Sequence, residues 1–195
     1  MSVAAAKQQR EKQPGWNDER LVRECVNGNP EAWSALIEKY KNLIFSVPIK
    51  LGMHQEAPDI FQSVCLDLLT DLPKIREPRA LPKWLMQATY RKCLRYKRNP
   101  HDQVSIDEPG RDLADENVDA PVDLIAQLER EQMLRNVMSE LPQRCESMIR
   151  MLFFETPPRA YNTIAAELGL ATGSIGFIRG RCLAKLRKAL ERKGF

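Results

Sequence analysis

Apolar residues recur at three- and four-residue spacing along most of the chain, which is the pattern of amphipathic helices. In the clearest run, which follows Pro30, the apolar positions are Trp33, Leu36, Ile37, Tyr40, Ile44 and Val47. No stretch alternates apolar and polar residues in the way that predicts a β-strand. The pattern therefore predicts an all-α protein.

Proline and glycine divide the N-terminal half into successive helices. Pro30 stands at a helix start, and we expect a break at Pro48 before an element that ends at Gly52. Residues 59–71 form the next predicted helix. A proline-rich loop follows at 73–82, and a last helix is expected from Lys83 to about Asn99, where Pro100 stops it.

The C-terminal part shows the same periodicity after a different kind of segment. Residues 101–123 contain eight acids and one arginine, a net charge of −7, whereas the whole chain carries +4 and its remainder therefore +11. With few large apolar residues this segment cannot fold alone, and helical periodicity resumes at Leu124. The expected organisation is a flexible tail (1–16), a helical domain (17–100), a flexible acidic linker (101–123) and a second helical domain (124–195).

Charge and cysteine content narrow the class of protein. Two basic modules joined by an acidic segment point to nucleic acid as a partner. None of the five cysteines forms a Cys-x-x-Cys pair, so we expect buried, reduced thiols rather than a zinc site or a disulfide framework. The chain lacks an apolar run of the ~20 residues that a membrane span needs, and its N-terminus lacks a signal core. We therefore expect a cytoplasmic protein.

Residues 163–182 have helix-turn-helix spacing. Ala165 is small enough for two helices to cross there, and Gly169 comes four residues later, where a tight turn needs positive φ. Ile175 and Ile178 return apolar surface to the first helix. The alternative is an ordinary helical hairpin.

The last helix has two distinct faces at about 100° per residue. One is predicted to be buried and contains Ile175, Cys182, Leu186 and Leu190. The opposite, basic face contains Ser174, Phe177, Arg181, Lys185, Lys188 and Arg192. The first three would meet base edges and the lysines the phosphates, with Arg179 reaching phosphate from the buried side; for the lysines and Arg192 the alternative is a solvated surface.

Glycines are unusually frequent in this helix, which Thr172 is predicted to cap. Gly173 falls in the expected first turn, where the cost of glycine is smaller. Gly176 and Gly180 share one flank, and each costs about 1 kcal/mol against alanine. We hypothesise that they let a DNA backbone or a neighbouring helix approach closely.

Residues 83–98 contain six bases and no acid. On a helix, one stripe comprises Trp84, Ala88, Arg91, Arg95 and Arg98. Arginines bind phosphates, and a flat ring stacks on an unpaired base for roughly 1–3 kcal/mol, so this stripe suits a single nucleic-acid strand. Packing in the core is the alternative for Trp84.

The predicted helix at 59–71 carries an apolar residue among polar ones on its outer side. The buried positions are Ile60, Phe61, Val64 and Leu68. The outer positions are Asp59, Gln62, Ser63, Leu66 and Thr70. Leu66 suggests a surface that docks a partner's helix, and a scattered surface leucine is the alternative.

These segments together resemble the extracytoplasmic-function sigma factors of bacterial RNA polymerase. "DERLVRECVNGNPEAWSALIEKYKNLIF", "DIFQSVCLDLL" and "LPKWLMQATYRKCLRYKR" resemble that family's domain two. "ELPQRCESMIRMLFFE" and "YNTIAAELGLATGSIGFIRGRCLAKLRKAL" resemble its domain four, with an ending similar to one actinobacterial branch. The likeness extends over about 19–192, in the family's order.

The resemblance implies a promoter-specificity subunit without a cofactor. The family's contacts with the clamp coiled coil of core polymerase would fall on Asp59, Gln62, Ser63 and Leu66. Recognition and melting of the −10 element, with a base flipped out of the stack, would use Lys74, Arg76, Trp84, Arg91, Arg95 and Arg98. Recognition of the −35 element would use Thr172, Ser174, Phe177, Ile178, Arg179, Arg181, Lys185 and Lys188.

The resemblance further implies contact with the polymerase flap, passage of the linker through the polymerase interior, and an anti-sigma factor as an unidentified further partner. Many members have Asn and Asp where this chain has Arg91 and Arg95, and Lys, Ser and Arg at 176–178. Promoter sequences therefore do not carry over from other members.

Two other classes of protein remain as alternatives. The first is a helix-turn-helix regulator that binds duplex DNA without being a polymerase subunit. The second is an enzyme, which the sequence does not favour. A nuclease needs clustered carboxylates for metal, but the dense acids here fall in the predicted linker, His54 and His101 are isolated, and no glycine-rich phosphate loop occurs.

Overall fold

The structure, a computed structural model, describes residues 16–98 and 118–195. In these two ranges every regular element is a helix, which confirms the all-α class. The chain divides into two compact units between Leu128 and Glu129. No helix within the described ranges is both long enough and apolar enough to cross a membrane.

Within the described residues, four α-helices lie entirely in unit 1. They are α1 (Asp18–Val26), α2 (Pro30–Lys50), α3 (Ala57–Asp71) and α4 (Leu81–Arg98). The proline-rich loop before α4 contains two 3₁₀ turns, Leu72–Lys74 and Pro78–Ala80.

Short polar residues set the starts of α1 and α2. The Asn17 side chain accepts a hydrogen bond from the Arg20 amide at 2.9 Å, and Asn29 accepts one from the Glu31 amide at 2.9 Å. These caps satisfy amides that have no partner within the helix. Gly28, at φ 80°, makes the intervening turn, so the predicted break before Pro30 is confirmed.

The centre of unit 1 is packed around α2. Leu36, Leu43 and Tyr40 of this helix are completely buried. The Tyr40 hydroxyl donates to Asp18 at 2.6 Å, and burial, followed by the negative charge of Asp18, raises the pKa of this phenol. The buried ring is therefore neutral and ties α1 to α2.

Two element boundaries in unit 1 differ from the sequence prediction. The predicted break at Pro48 is wrong: α2 passes through this residue, and only two helical residues follow it. Near a helix end a proline interrupts few hydrogen bonds, and its buried ring contributes to the core. Helix α4 begins at Leu81 rather than Lys83, with Pro82 in its first turn, where proline is tolerated.

Unit 2 contains most of α5 (Val122–Glu140), α6 (Gln143–Phe153), α7 (Tyr161–Leu168) and α8 (Ile175–Glu191). One apolar cluster joins α5, α6 and α8 through Met138, Ile149 and Cys182, with Leu141 between α5 and α6. A second joins α6, α7 and α8, and its buried members are Met148, Met151, Ile164, Ala165 and Ile175.

A disulfide between Cys145 of α6 and Cys182 of α8 corrects the expectation that the cysteines are all reduced. The two Cα atoms are 5.2 Å apart, and both side chains are buried. Cys25, Cys65 and Cys93 are free thiols. Burial raises the pKa of Cys25 to about 11 and that of Cys93 to about 12, so both are protonated at neutral pH.

The predicted tail and linker lie mostly outside the described residues, namely at 1–15 and 101–117. At the edge of the tail, Trp16 packs against the core of unit 1, with the Arg20 guanidinium 4.7 Å from its ring. At the end of the predicted linker, α5 begins at Val122 instead of Leu124, and the boundary between the compact units falls within this helix.

Candidate nucleic-acid interface and docking surface

Helices α7 and α8 occupy the two halves of the segment predicted as a helix-turn-helix. Ala165 is 3% exposed and lies in one apolar cluster with Ile164 of α7 and Ile175 of α8. Gly169 ends α7 at φ 64° and ψ 43°, the left-handed conformation that glycine adopts without steric cost. The roles predicted for Ala165, Gly169 and Ile175 in packing and in the turn are confirmed.

Helix α8 presents an aromatic and basic surface. Phe177 is 69% exposed, and the Arg181 guanidinium lies 5.5 Å from the centre of its ring. Lys185 and Lys188, one and two turns further on, are exposed. This surface combines a flat apolar group with three positive charges, which suits a duplex groove flanked by phosphates.

The start of α8 differs from the prediction that Thr172 caps it. Thr172–Ser174 form a 3₁₀ turn, and the helix begins at Ile175 without a side-chain cap. The Ser174 hydroxyl donates to the Ala171 carbonyl at 2.7 Å. Thr172 is exposed and Ser174 half-buried.

Two predicted DNA contacts on α8 have partners within unit 2. Ile178 is half-buried and packs against both apolar clusters of the unit. Arg179 donates from Nη1 to the Tyr161 hydroxyl, and its guanidinium lies 5.9 Å from the centre of that ring. Tyr161, at the start of α7, was not identified from the sequence, because no local pattern connects it with a residue 18 positions later.

Glycine is not required at 173, 176 or 180 by the described residues. Apart from its chain neighbours and the backbone of its own helix, a Cβ atom added at any of these positions would meet no heavy atom of the described residues within 4 Å. None of the three has positive φ. Close approach of a neighbouring helix is therefore wrong as their explanation, and approach of DNA stays a prediction.

Helix α4 carries the basic stripe in unit 1. Arg95 and Arg98 are exposed, whereas Arg91 is half-buried and its guanidinium lies 3.9 Å from the Asp119 carboxylate. Trp84 is half-buried and packs against the core. The alternative role in core packing is therefore confirmed for the buried part of this side chain.

The remaining two predicted −10 residues lie in the loop before α4. Lys74 ends the 3₁₀ turn at 72–74 and forms an ion pair with Asp71 at 2.7 Å. Arg76, two residues later, is exposed. All six predicted −10 residues thus belong to α4 or to the loop that leads into it.

The outer side of α3 exposes more apolar surface than the sequence suggested. Leu66 is 60% exposed and Leu69 55% exposed. Gln62 is exposed and Ser63 half-buried, and Asp59 accepts a hydrogen bond from the Tyr96 hydroxyl at 3.3 Å. Leu69 was missed, although its three-residue spacing from Leu66 places both on neighbouring positions of one face.

On the opposite side of α3, the predicted buried positions are confirmed. Ile60, Val64 and Leu68 are at most 1% exposed. Phe61 is half-buried and stacks on Phe45 with ring centres 4.7 Å apart. The two exposed leucines are thus held on a firmly packed helix.

Comparison of the chain with protein-family models and with curated proteins found no match. The candidate surfaces are therefore interpreted from their own chemistry and geometry.

Proposed function

We propose that this protein is a sigma factor, which directs bacterial core RNA polymerase to specific promoters. Unit 2 reads the −35 element through α8. Unit 1 reads and melts the −10 element through α4, and it binds core polymerase through α3.

The observation that carries the proposal is the helix-turn-helix of α7 and α8. Its turn glycine is left-handed, its crossing residues are buried, and its second helix exposes Phe177, Arg181, Lys185 and Lys188. In such motifs the N-terminal part of the second helix meets base edges, while later residues meet phosphates. The geometry supports duplex reading by unit 2.

Features of unit 1 support a polymerase subunit over a free regulator. A regulator needs one duplex-binding unit, but unit 1 adds a second basic helix with a partly exposed tryptophan. This combination suits an unpaired strand better than a closed duplex. The exposed Leu66 and Leu69 on α3 provide an apolar surface of the kind that a partner's helix covers.

The deciding experiment compares binding to core polymerase with binding to duplex DNA. A sigma factor forms a complex with bacterial core polymerase in gel filtration without DNA. A free regulator instead binds its duplex site tightly by itself. Failure to bind core polymerase would exclude the proposed function.

The interaction surface is tested with a double variant, Leu66→Ser/Leu69→Ser, which removes two exposed apolar groups and leaves the core intact. We expect at least a tenfold loss of affinity for core polymerase. The matched control is Val26→Ser/Ile49→Ser, which removes two other exposed apolar groups of unit 1, 49% and 46% exposed. Equal losses in the two variants would contradict the assignment of α3.

A further inference from the structure

The middle of the basic stripe on α4 is covered by another segment of the same compact unit. The segment comprises residues 118–128, which we call the covering segment. Its Ala120 amide donates to the Gln87 side chain of α4 at 2.8 Å, and Ala120 is 5% exposed. One turn along α4, Arg91 faces the Asp119 carboxylate at 3.9 Å. The segment therefore contacts two successive turns of α4, at Gln87 beside the stripe and at Arg91 within it.

The covering segment is anchored by apolar side chains. Leu128 is completely buried and belongs to the core cluster of unit 1, and Leu124 and Ile125 pack against the same cluster. Trp84 packs there too. Burial of apolar surface, and not charge alone, therefore stabilises the packing of the covering segment on unit 1.

Its polar contacts with α4 are incomplete. At 3.9 Å the Arg91–Asp119 pair is too long for a hydrogen bond, and the Asp119 side chain is 83% exposed. The Arg91 Nε–H group is buried and has no hydrogen-bond acceptor among the residues that the structure describes. A buried donor without an acceptor is costly. A phosphate group offers several acceptor oxygens and full charge, so it can bind this guanidinium better than Asp119 does.

We propose that the covering segment blocks the nucleic-acid face of α4 in the free protein and is displaced when a single strand binds there. The inference rests on the proposed role of α4 in binding the −10 strand. Asp119 occupies the place of a phosphate, and the segment makes binding of the strand depend on an opening step. A free protein of this design binds stray single strands weakly.

Hydrogen exchange on the full chain measures the displacement directly. In the free protein, the Ala120 amide and the amides of the first turns of α5 are expected to exchange slowly. A saturating mixed-sequence single-stranded DNA 20-mer should increase exchange in residues 118–128 and decrease it in α4. Bound DNA with unchanged protection of 118–128 would overturn the inference.

Variants test the same step through affinity. Asp119→Ala removes the Arg91 contact and should tighten binding of the 20-mer by about two- to fivefold, the range for a weak, exposed ion pair. Asp123→Ala is the matched control, because Asp123 is exposed, lies four residues further on and carries the same charge. Equal effects of the two variants would show general electrostatics and overturn the specific contact.

Leu128→Ala loosens the apolar anchor and should tighten binding more than Asp119→Ala does, provided that its melting temperature shows a folded protein. If this variant is unfolded, the comparison of Asp119→Ala with Asp123→Ala and the hydrogen-exchange measurement still test the displacement. If neither parent nor folded variants bind the 20-mer, the inference is overturned. Binding to core polymerase through α3 is measured separately. If the protein binds core polymerase but the covering segment stays protected when DNA binds, displacement of the segment is rejected and the proposed function is not.

Discussion

Arg181 and Phe177 lie together on the exposed face of α8, which we propose contacts the bases of the −35 element. Arg181→Ala should weaken −35-dependent initiation by about 1–3 kcal/mol, because an arginine that binds a base edge bidentately contributes that much discrimination. The measurement is initiation from a cognate promoter and from a set of promoters with substitutions in the −35 element. The expected signature is relaxed specificity at one or two positions.

The control for Arg181 is Arg187→Ala, six residues further along the same helix. Arg187 is exposed and pairs with Glu191 at 2.9 Å, so its removal changes net charge equally without touching the proposed reading surface. A role for Arg181 in base reading is refuted if its variant and the control have the same promoter profile.

Gly176 and Gly180 give a prediction in which stability and binding change in opposite directions. Each Gly→Ala substitution should raise the free energy of unfolding by about 0.4–1 kcal/mol, because nothing lies within 4 Å of the added Cβ and the backbone is helical. The same substitutions should weaken binding of −35 DNA if its backbone approaches these glycines. Variants that are more stable and bind DNA normally would remove that explanation.

Gly169→Ala is the contrasting variant. This residue has φ 64°, so a side chain there is strained although the space is open. We expect it to lower the free energy of unfolding, by about 1 kcal/mol. Chemical denaturation of the three variants measures both directions in one series.

Among the elements of unit 2, the Cys145–Cys182 disulfide connects α6 to α8. A cross-link across 37 residues restricts the unfolded chain and is worth about 3–4 kcal/mol. A reductant should therefore lower the melting temperature of the parent protein. The Cys145→Ser/Cys182→Ser variant should melt at the lower temperature with or without reductant. Identical melting of oxidised and reduced parent would contradict a stabilising bridge.

Trp84 of α4 is proposed to stack on an unpaired base of the −10 element. Trp84→Ala should impair open-complex formation more than closed-complex binding, because its ring is proposed to stack on a base that is unpaired only after melting. Permanganate footprinting follows the melted thymines. Trp84→Phe keeps a flat ring and should restore most of the melting. Normal melting with Trp84→Ala would overturn the stacking role.

The sequence predicted those elements whose signals are local. Periodicity located the helices, and the spacing of Ala165, Gly169 and Ile175 predicted the turn and the packing between α7 and α8, because these residues lie within one short segment. The disulfide could not be predicted, since Cys145 and Cys182 are distant in sequence and only the packing of α6 on α8 brings them together. The prediction at Pro48 was wrong because this residue is near the end of α2 and its ring packs in the core. The prediction at Thr172 was wrong because this residue begins a 3₁₀ turn instead of capping α8.

Along the whole chain, the net charge of the two helical units differs in sign from that of the segment between α4 and α5. The basic surfaces lie on α4 and α8, while the segment 101–123 carries −7. The sequence placed a domain boundary at its end, but the structure groups residues up to Leu128 with unit 1. The reason is the burial of Leu128 in the core of that unit, a contact that helical periodicity cannot assign to one domain or the other.

The central claim, that the protein gives core polymerase promoter specificity, is tested most directly by transcription in vitro. Purified bacterial core polymerase would transcribe fragmented genomic DNA from the source organism with and without this protein, and the RNA 5′ ends would be sequenced. If the protein is a sigma factor, new and discrete start sites should appear that share two upstream sequence elements and that disappear with Leu66→Ser/Leu69→Ser. Start sites that are unchanged by adding the protein would contradict it.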